Sequence, residues 1–501
     1  MCSTPASDNC LNTLRDPSSR RSSSLNLAMW LSTSFMFSET FISDIKFVPF
    51  NPRRMLCRSG YVVPRDTPEI RRELTVRPIV HREIGFPPPP FKVFKVAKTS
   101  GGLCVPQYYG VQAFGAPERD TRPEPTRVSF QFTGRLRDET FQNEALNKGL
   151  AAGHGILSLP CGYGKTTVAL ALAARLGYRT MIIVHKEFLA TQWRERIQQF
   201  CPGATIGLVQ QDRVETDRDF VIAMLQSLSL KEYQATQFDT IGTIIVDEAH
   251  HVCARVFSQS LFRMCPRHIF GLSATPDRKD GLSKVMEWFM GPVFFAVARE
   301  NQDQVQVFPI EFDCKMFREA PPTTRFGKLC LPSMITLIVQ HEARNAVIQK
   351  TVARIIRGTT RQLLVLSDRR AHCEYLQSLF PDNSGLYMGG MKQAALTQSS
   401  LKRIIFATFS QAHEGLDIPT LDTVLLASPK SDIVQSIGRI MRETAGKKNT
   451  PHIYDVVDHW SVMFAMYSKR LRVYRAGGFK IEGREPVDPD AINPFQGKCL
   501  L

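Results

Sequence analysis

A glycine-rich segment, SLPCGYGKTT at 158–167, has the composition of a loop that binds phosphate groups. Its two glycines, Gly162 and Gly164, allow backbone N–H groups to turn inward around phosphate oxygens. Lys165 can reach the β- and γ-phosphate oxygens of a nucleotide, and Thr166 can ligate Mg²⁺. The strict pattern GxxxxGK[ST] would place glycine at Leu159, so a chance GKT turn is the alternative at this point. The predicted ATP-binding residues of the loop are Leu159, Pro160, Cys161, Gly162, Tyr163, Gly164, Lys165, Thr166 and Thr167.

Two adjacent carboxylates come directly after an apolar run, in the segment TIIVDEAHH at 243–251. At the carboxyl end of a buried strand, Asp247 can hold Mg²⁺ through its water shell. Glu248 can then orient and polarise the water that attacks a phosphate. The two histidines would suit zinc, but no cysteine or second histidine cluster lies at ligand spacing, so histidine-bound metal is disfavoured. His250 is assigned instead to the coupling of hydrolysis with movement.

Short apolar runs that alternate with helical patterns place both motifs at strand ends. A first series predicts buried strands at 155–160, 180–185, 220–225, 243–248 and 268–274, and helices at 169–176 and 187–200. A second series predicts strands at 362–367, 385–388, 403–409, 423–428 and 452–457, and helices at 341–357, 369–380, 432–443 and 459–475. Strands that alternate with helices form parallel sheets with crossover connections. The sequence therefore predicts an α/β fold with two parallel-sheet domains in tandem.

The chain before the first sheet has a different composition. Residues 1–56 are rich in serine and are predicted to be a disordered extension, and whether Met1 or Met55 is the true start stays open. Proline density and short alternating runs at 57–135, including VSFQF at 128–132, predict a small β-rich module and linker without helices. The predicted division is therefore 1–56 extension, 57–135 module and linker, 136–300 first domain, 301–340 connector, 341–482 second domain and 483–501 tail.

Charge and cysteine content restrict the partners and the compartment. The 501 residues include 63 Lys+Arg and 47 Asp+Glu, which gives a formal net charge of +16. Such an excess favours a polyanionic partner, and nucleic acid is the leading candidate. No stretch approaches the roughly 20 apolar residues that span a bilayer, so membrane residence is disfavoured. The 12 cysteines show no CxxC pair or zinc-like spacing and are interpreted as reduced thiols of an intracellular protein.

Five motifs occur in the order found in superfamily 2 helicases, namely LPCGYGKT, DEAH at 247–250, SAT at 273–275, EGLDIP at 414–419 and QSIGRIMR at 435–442. The sequence resembles the XPB-like branch of that superfamily and is similar to phage UvsW-type helicases and to those of large DNA viruses. The strings GLSATPDRKDGL at 271–282 and FATFSQAHEGLDIPTLDTVLLASP at 406–429 support that branch over DEAD-box RNA helicases. The resemblance covers about residues 85–482 and implies two RecA-like domains of the P-loop NTPase class.

The resemblance also implies roles for residues outside the two motifs described first. Gln142 would contact adenine, although an exposed glutamine without that role is the alternative. Ser273 and Thr275 would link hydrolysis to domain movement. In the second domain, the motif that contacts nucleotide and strand would comprise Thr408, Gly415 and Asp417. On the predicted helix 432–443, Gln435 would serve coupling, whereas Arg439 and Arg442 would face one side and act as arginine fingers.

The sequence thus predicts an ATP hydrolase that uses Mg²⁺ and couples hydrolysis to movement along, or unwinding of, nucleic acid, with DNA favoured over RNA. Its predicted catalytic residues are Lys165, Asp247, Glu248, Arg439 and Arg442. An RNA helicase, a duplex translocase without unwinding and a non-catalytic nucleic-acid scaffold are the alternatives. Lys279 interrupts the R-E-D element of the XPB type, so strand separation by 276–281 stays open. The expected location is intracellular, in the nucleus or the cytoplasm, or in the virion if the protein is viral.

Overall fold

The computed structural model describes residues 54–63, 65–79, 88–96, 102–160, 162–274, 276, 278, 280–297, 305–414, 416, 418–441 and 449–483. Most of the predicted extension 1–56 and nearly all of the tail 483–501 lie outside the described residues. Five predicted site residues also lie outside them, namely Cys161, Thr275, Gly415, Asp417 and Arg442. Within the described part of the chain, no helix is long and apolar enough to cross a membrane.

A module of short strands precedes the two large sheets. Its strands are β1 (Met55–Cys57), β2 (Gly60–Val63), β3 (Thr75–Val76), β4 (Phe91–Lys92), β5 (Lys95–Val96), β6 (Leu103–Val105) and β7 (Arg119–Asp120). Five of them form a sheet in the order β5-β6-β2-β1-β7, and β3 pairs with β4. The ring of Tyr109 meets that of Trp288 edge to face at 5.5 Å, and Arg58 makes two 2.5 Å hydrogen bonds to Asp239. The module is therefore packed against the first large sheet.

The prediction that residues 57–135 contain no helix is wrong. α1 (Pro68–Glu73) begins after Thr67, whose side chain caps the first turn, and has proline at its first position. α2 (Gln107–Phe114) follows Pro106 and ends at Gly115. Proline is tolerated at the start of a helix because the N–H it lacks would have no partner there. The prolines that suggested loops instead precede or begin short helices.

Residues 128–132 do not form the predicted strand. The ring of Phe130 lies 4.6 Å from that of Phe220, and the ring of Phe132 lies 6.1 Å from that of Phe200. Alternate side chains of this segment thus pack on the first domain without the segment joining a sheet. The apolar alternation reflects one half-buried face of the segment rather than strand pairing.

The first domain is an eight-stranded sheet, parallel except for one edge strand, with its helices. Its strands are β8 (His154–Ser158), β9 (Thr180–Val184), β10 (Ile206–Gln210), β11 (Arg213–Val214), β12 (Phe220–Met224), β13 (Thr243–Val246), β14 (His268–Ser273) and β15 (Val293–Ala296), in the order β11-β10-β12-β9-β13-β14-β8-β15. Its helices are α3 (Gln142–Ala152), α4 (Lys165–Leu176), α5 (Glu187–Phe200), α6 (Leu225–Leu230) and α7 (Ser283–Met290). All five predicted strands are confirmed. β9, β12 and β13 are buried throughout because both faces of the sheet are covered.

The second domain is a seven-stranded parallel sheet with its helices. Its strands are β16 (Gln306–Phe312), β17 (Leu363–Ser367), β18 (Ser384–Tyr387), β19 (Ile404–Thr408), β20 (Thr423–Leu426), β21 (His452–Asp458) and β22 (Lys480–Ile481), in the order β18-β19-β17-β20-β21-β16-β22. Its helices are α8 (Leu331–Gln340), α9 (Glu342–Ile356), α10 (Arg370–Ser378), α11 (Gln393–Ser400), α12 (Phe409–Glu414), α13 (Val434–Gly438) and α14 (Val462–Ala476). The predicted tandem arrangement of two parallel sheets in an α/β fold is confirmed.

Two details of the second domain differ from the prediction. β16 lies in the segment assigned to the connector, yet all seven of its residues pair with β21. Pro309 does not interrupt this strand, because β22 pairs only with Gln306 and Val307, so the proline faces no partner on that side. α13 ends at Gly438 and is much shorter than the predicted helix 432–443. The remaining domain boundaries stay predictions.

Candidate active site

The predicted phosphate loop connects β8 to α4 at the carboxyl edge of the first sheet. Gly162 and Gly164 adopt φ values of +90° and +79°, which residues with a side chain rarely adopt. A Cβ at Gly164 would also lie 2.4 Å from Nε2 of Gln142. The Lys165 ammonium donates a 2.9 Å hydrogen bond to the Leu159 carbonyl and so folds back across the loop. Two glycines in left-handed conformations thus precede the start of a 12-residue helix, a position at which anions can bind.

Gln142 is tied directly to this loop. It is only 2% exposed, its Nε2 donates to the Tyr163 carbonyl at 3.0 Å, and its Oε1 accepts from the Arg137 N–H at 3.1 Å. The alternative of a bland exposed glutamine is therefore wrong, whereas contact with adenine stays a prediction. Phe141, next to it, is 39% exposed and adopts φ +57°. An exposed ring beside the loop can stack on a base, and the sequence analysis did not single out this residue.

The Asp247 carboxylate is fixed by two hydrogen bonds at the end of β13. Its Oδ2 accepts from the indole N–H of Trp193 at 2.8 Å, and its Oδ1 accepts from the Glu248 N–H at 3.0 Å. Burial and the adjacent Glu248 charge raise the pKa of Asp247, whereas the Trp193 hydrogen bond and the Lys165 charge lower it. The positive charge of Lys165 and the negative charge of Asp247 therefore interact across the edge of the sheet.

Glu248 has an unusual backbone conformation and an unpaired carboxylate oxygen. Its φ of +45° lies in the left-handed region, which is strained for a residue with a side chain. Its Oε2 is buried and accepts no hydrogen bond from any described residue, although Nδ1 of His250 lies 3.4 Å away. An acceptor in this state is suited to take a hydrogen bond from a water molecule.

His250 belongs to a stack of imidazole rings beside the two carboxylates. Its ring centroid lies 4.4 Å from that of His251, which lies 3.9 Å from that of His185. Burial and nearby positive charge lower the pKa of His250 to about 4 and that of His251 to about 3, so both are neutral at pH 7. The negative charge of Asp432 partly opposes the shift at His250. Asp432, which lies just before α13, is thus close enough for its charge to affect His250 of the DEAH motif.

The segment after β14 is also attached to this motif. Arg278 donates to the His250 carbonyl at 2.5 Å and pairs with Asp280. Arg278 and Asp280, on either side of Lys279, are thus attached to the segment that contains the DEAH motif. Ser273 is fully buried at the end of β14, in register with Ser158.

Of the predicted second-domain residues, the structure describes Thr408, Gln435 and Arg439, which lie at the carboxyl edge of the second sheet or beside it. Thr408 ends β19, and its Oγ1 accepts from the Gln411 N–H at 3.4 Å. Gln435 lies on α13, and Arg439 directly follows that helix. The Arg439 Nε donates to the Ala412 carbonyl at 2.9 Å, within its own domain. The finger role of Arg439 therefore stays a prediction that requires its guanidinium to leave this partner.

The chain is similar to several known proteins. Residues 135–278 match the family described as "Type III restriction enzyme, res subunit". "Putative ATP-dependent RNA helicase L396" of Acanthamoeba polyphaga mimivirus is 31% identical over 85% of this chain and 85% of that protein. "Putative helicase 161L" of Invertebrate iridescent virus 6 is 29% identical over 70% of this chain and 83% of that protein. The crystal structure of T4 UvsW is 16% identical over 83% of this chain and 94% of that chain, with a TM-score of 0.33.

A phosphate loop and an acidic pair at one edge of a parallel sheet, followed by a second parallel sheet, define the class of two-domain nucleoside-triphosphate hydrolases. The similarity to the mimivirus protein, which extends over 85% of both proteins, identifies the family within this class. The chain belongs to the superfamily 2 helicases and is similar to those of large DNA viruses. It is an ATP-hydrolysing helicase with a nucleic-acid partner. The predictions of family, enzyme class and nucleotide are thereby confirmed.

Proposed function

We propose that this helicase acts on DNA, uses Mg²⁺ with ATP, and shares one nucleotide between its two domains. The observation that carries the proposal is the position of the phosphate loop and of Asp247 and Glu248 at one sheet edge, where Asp432 of the second domain acts on His250. Ligands at the carboxyl ends of parallel strands are the rule in open α/β sheets.

The residues at this edge fit a magnesium nucleotide. Thr166 offers a hydroxyl and Asp247 a carboxylate, and Mg²⁺ typically takes one or two such oxygens together with phosphate oxygens and water. When bound, Mg²⁺ neutralises charge on the β- and γ-phosphates. The loop N–H groups and Lys165 would bind the same phosphates. The hydrogen bonds of Asp247 leave further lone pairs on both oxygens for such a role.

Hydrolysis transfers the γ-phosphoryl group to water. Glu248 would orient the water and accept its proton as the new P–O bond forms. The bond from the γ-phosphorus to the bridging oxygen breaks, and ADP leaves with its electron pair. Arg439 and Arg442 would stabilise the charge on the transferring group once the domains close. Because the arginines come from the other domain, turnover would depend on closure and so produce movement along the strand.

DNA is favoured because the motifs resemble the XPB and UvsW branch. RNA is the second candidate, since the mimivirus relative carries the name of an RNA helicase. The free cysteines among the described residues support a reducing compartment, and we place the protein in the nucleus or cytoplasm of a cell, or in a virion.

The test is ATP turnover titrated with single-stranded DNA, duplex DNA and RNA of one sequence, followed by strand displacement on a forked duplex. DNA should stimulate turnover more strongly than RNA. Lys165→Ala is the background control, because it should abolish turnover while nucleic-acid binding is retained. Stronger stimulation by RNA would favour the RNA helicase, and turnover on duplex without strand release would favour a translocase.

A further inference from the structure

A hairpin with an exposed turn lies between β16 and α8 and takes no part in the site described above. Thr323 and Leu329 form an antiparallel bridge, and the Thr324 N–H donates to the Lys328 carbonyl at 2.6 Å. Gly327 closes the turn with φ +73°, and a Cβ there would meet no atom within 4 Å. This segment, residues 319–330, is called the tip hairpin below. Its backbone hydrogen bonds give the exposed turn a defined shape.

The tip combines an exposed aromatic ring with positive charge. Phe326 is 60% exposed, and the guanidinium of Arg325 lies 4.7 Å from its ring centroid. Lys328 follows two residues after Phe326, and the only acidic residue of the segment is Glu319 at its start. A ring that stacks on bases, flanked by cations that neutralise phosphates, is the combination with which proteins hold single strands. An acidic or purely apolar partner surface would match only half of these features.

The base of the hairpin is anchored to the edge of the second sheet. The Pro332 carbonyl, just after the hairpin, accepts from Arg369 at 2.9 Å. Arg369 pairs with Asp368, which also pairs with Lys430 at 3.3 Å. Asp368 and Lys430 follow β17 and β20, so the hairpin is attached to the sheet edge beside which α13 lies. A movement of the second domain on ATP binding would therefore carry the tip with it.

We propose that the tip hairpin contacts nucleic acid at a junction of single strand and duplex. Phe326 stacks on the base exposed at the junction, and Arg325 and Lys328 lie on neighbouring phosphates. The stacked ring takes the place of the next base pair, which holds the strands apart as the second domain advances. This inference rests on the proposed function of the chain and adds the element that would separate the strands.

The test uses the full chain with Phe326→Ala, Phe326→Trp and the control Leu401→Ala. Leu401 is 82% exposed on the same domain but follows α11, away in sequence from the tip. The first readout is strand displacement on a forked duplex, compared with nucleic-acid-stimulated ATP turnover. The second is the fluorescence of 2-aminopurine at the fork with a non-hydrolysable ATP analogue, because stacking on an aromatic ring quenches it.

Phe326→Ala should slow strand displacement about tenfold, since stacking on one base is worth roughly that factor or more, while turnover stays within about twofold of wild type. Phe326→Trp should restore displacement, and Leu401→Ala should change nothing. Quenching at the fork should be present in the wild type and absent in Phe326→Ala. Unchanged displacement and quenching in Phe326→Ala, with turnover still stimulated by nucleic acid, would overturn the hairpin proposal alone. A wild type whose turnover ignores nucleic acid would overturn the proposed function, and the hairpin proposal with it.

Discussion

The hydrogen bond from Trp193 to Asp247 predicts a magnesium-specific defect. Trp193→Phe removes the indole N–H but fills most of the same space. Loss of an outer-shell partner of a metal ligand typically costs about 10- to 100-fold in metal affinity or activity. A hydrogen bond to a charged group is independently worth about 1.5–3 kcal/mol, or roughly 10- to 150-fold. The two estimates overlap, so the Mg²⁺ concentration for half-maximal ATP turnover should rise at least about tenfold.

Trp460→Phe is the matched control for this variant. Both tryptophans are 2% exposed, but Nε1 of Trp460 has no hydrogen-bond partner among the described residues. The control therefore removes a comparable buried volume without removing a hydrogen bond. Turnover and the equilibrium binding of a fluorescent ATP analogue should both be measured against Mg²⁺ concentration. If Trp193→Phe and Trp460→Phe share the wild-type Mg²⁺ dependence, the indole does not position the carboxylate and the reasoning is wrong.

Three further predictions concern catalysis, binding and pH. Glu248→Gln should bind ATP normally but turn it over about 100-fold more slowly or worse, because no base remains, and wild-type single-turnover rates would place the base elsewhere. Nucleic-acid affinity should fall steeply as NaCl is raised, by about 10³-fold between 50 and 200 mM if some six phosphates are contacted, and a flat titration would contradict backbone tracking. Burial lowers the pKa of His372 to about 3, and its two ring nitrogens contact Ser367 and Asn345. As the pH falls below about 6.5, His372 therefore takes up a proton in the unfolded chain but not in the folded one. Between pH 8 and pH 5, the free energy of unfolding should fall by about 2 kcal/mol more in the wild type than in His372→Gln. Equal decreases in the two proteins, measured by urea unfolding, would refute this.

The parallel sheets could be read from the sequence because buried strands are uninterrupted apolar runs. β9, β12 and β13 lie between covered faces, so their composition alone is diagnostic. β10 lies near the edge and alternates between buried and half-buried residues, which gives a weaker signal. In the N-terminal module, proline is typical of loops, but here it also precedes or begins helices. Composition could not decide between those uses of proline.

The site was predictable where one contiguous motif carries it. Asp247 and Glu248 directly follow β13, and Lys165 and Thr166 follow β8 after the loop 159–164, so their position at the sheet edge could be predicted, whereas their catalytic roles stay predictions. The hydrogen bond from Trp193 to Asp247 could not be predicted from the sequence. Trp193 lies on α5, 54 residues earlier, and only tertiary packing brings the two residues together. The left-handed backbone of Glu248 leaves no trace in residue type either. Phe141 could have been predicted as a candidate, because it is an aromatic residue next to the predicted ATP contact Gln142.

The most direct test of the central claim is the turnover of Arg439→Ala, measured alongside its affinity for ATP and nucleic acid. If both domains share one nucleotide, losing this second-domain arginine should slow hydrolysis at least about 10³-fold while both affinities stay within a few-fold of wild type. Retained nucleic-acid binding shows that the second domain is folded, although Arg439 also donates to the Ala412 carbonyl. Wild-type turnover in Arg439→Ala would show that the first domain hydrolyses ATP without the second and would contradict the claim.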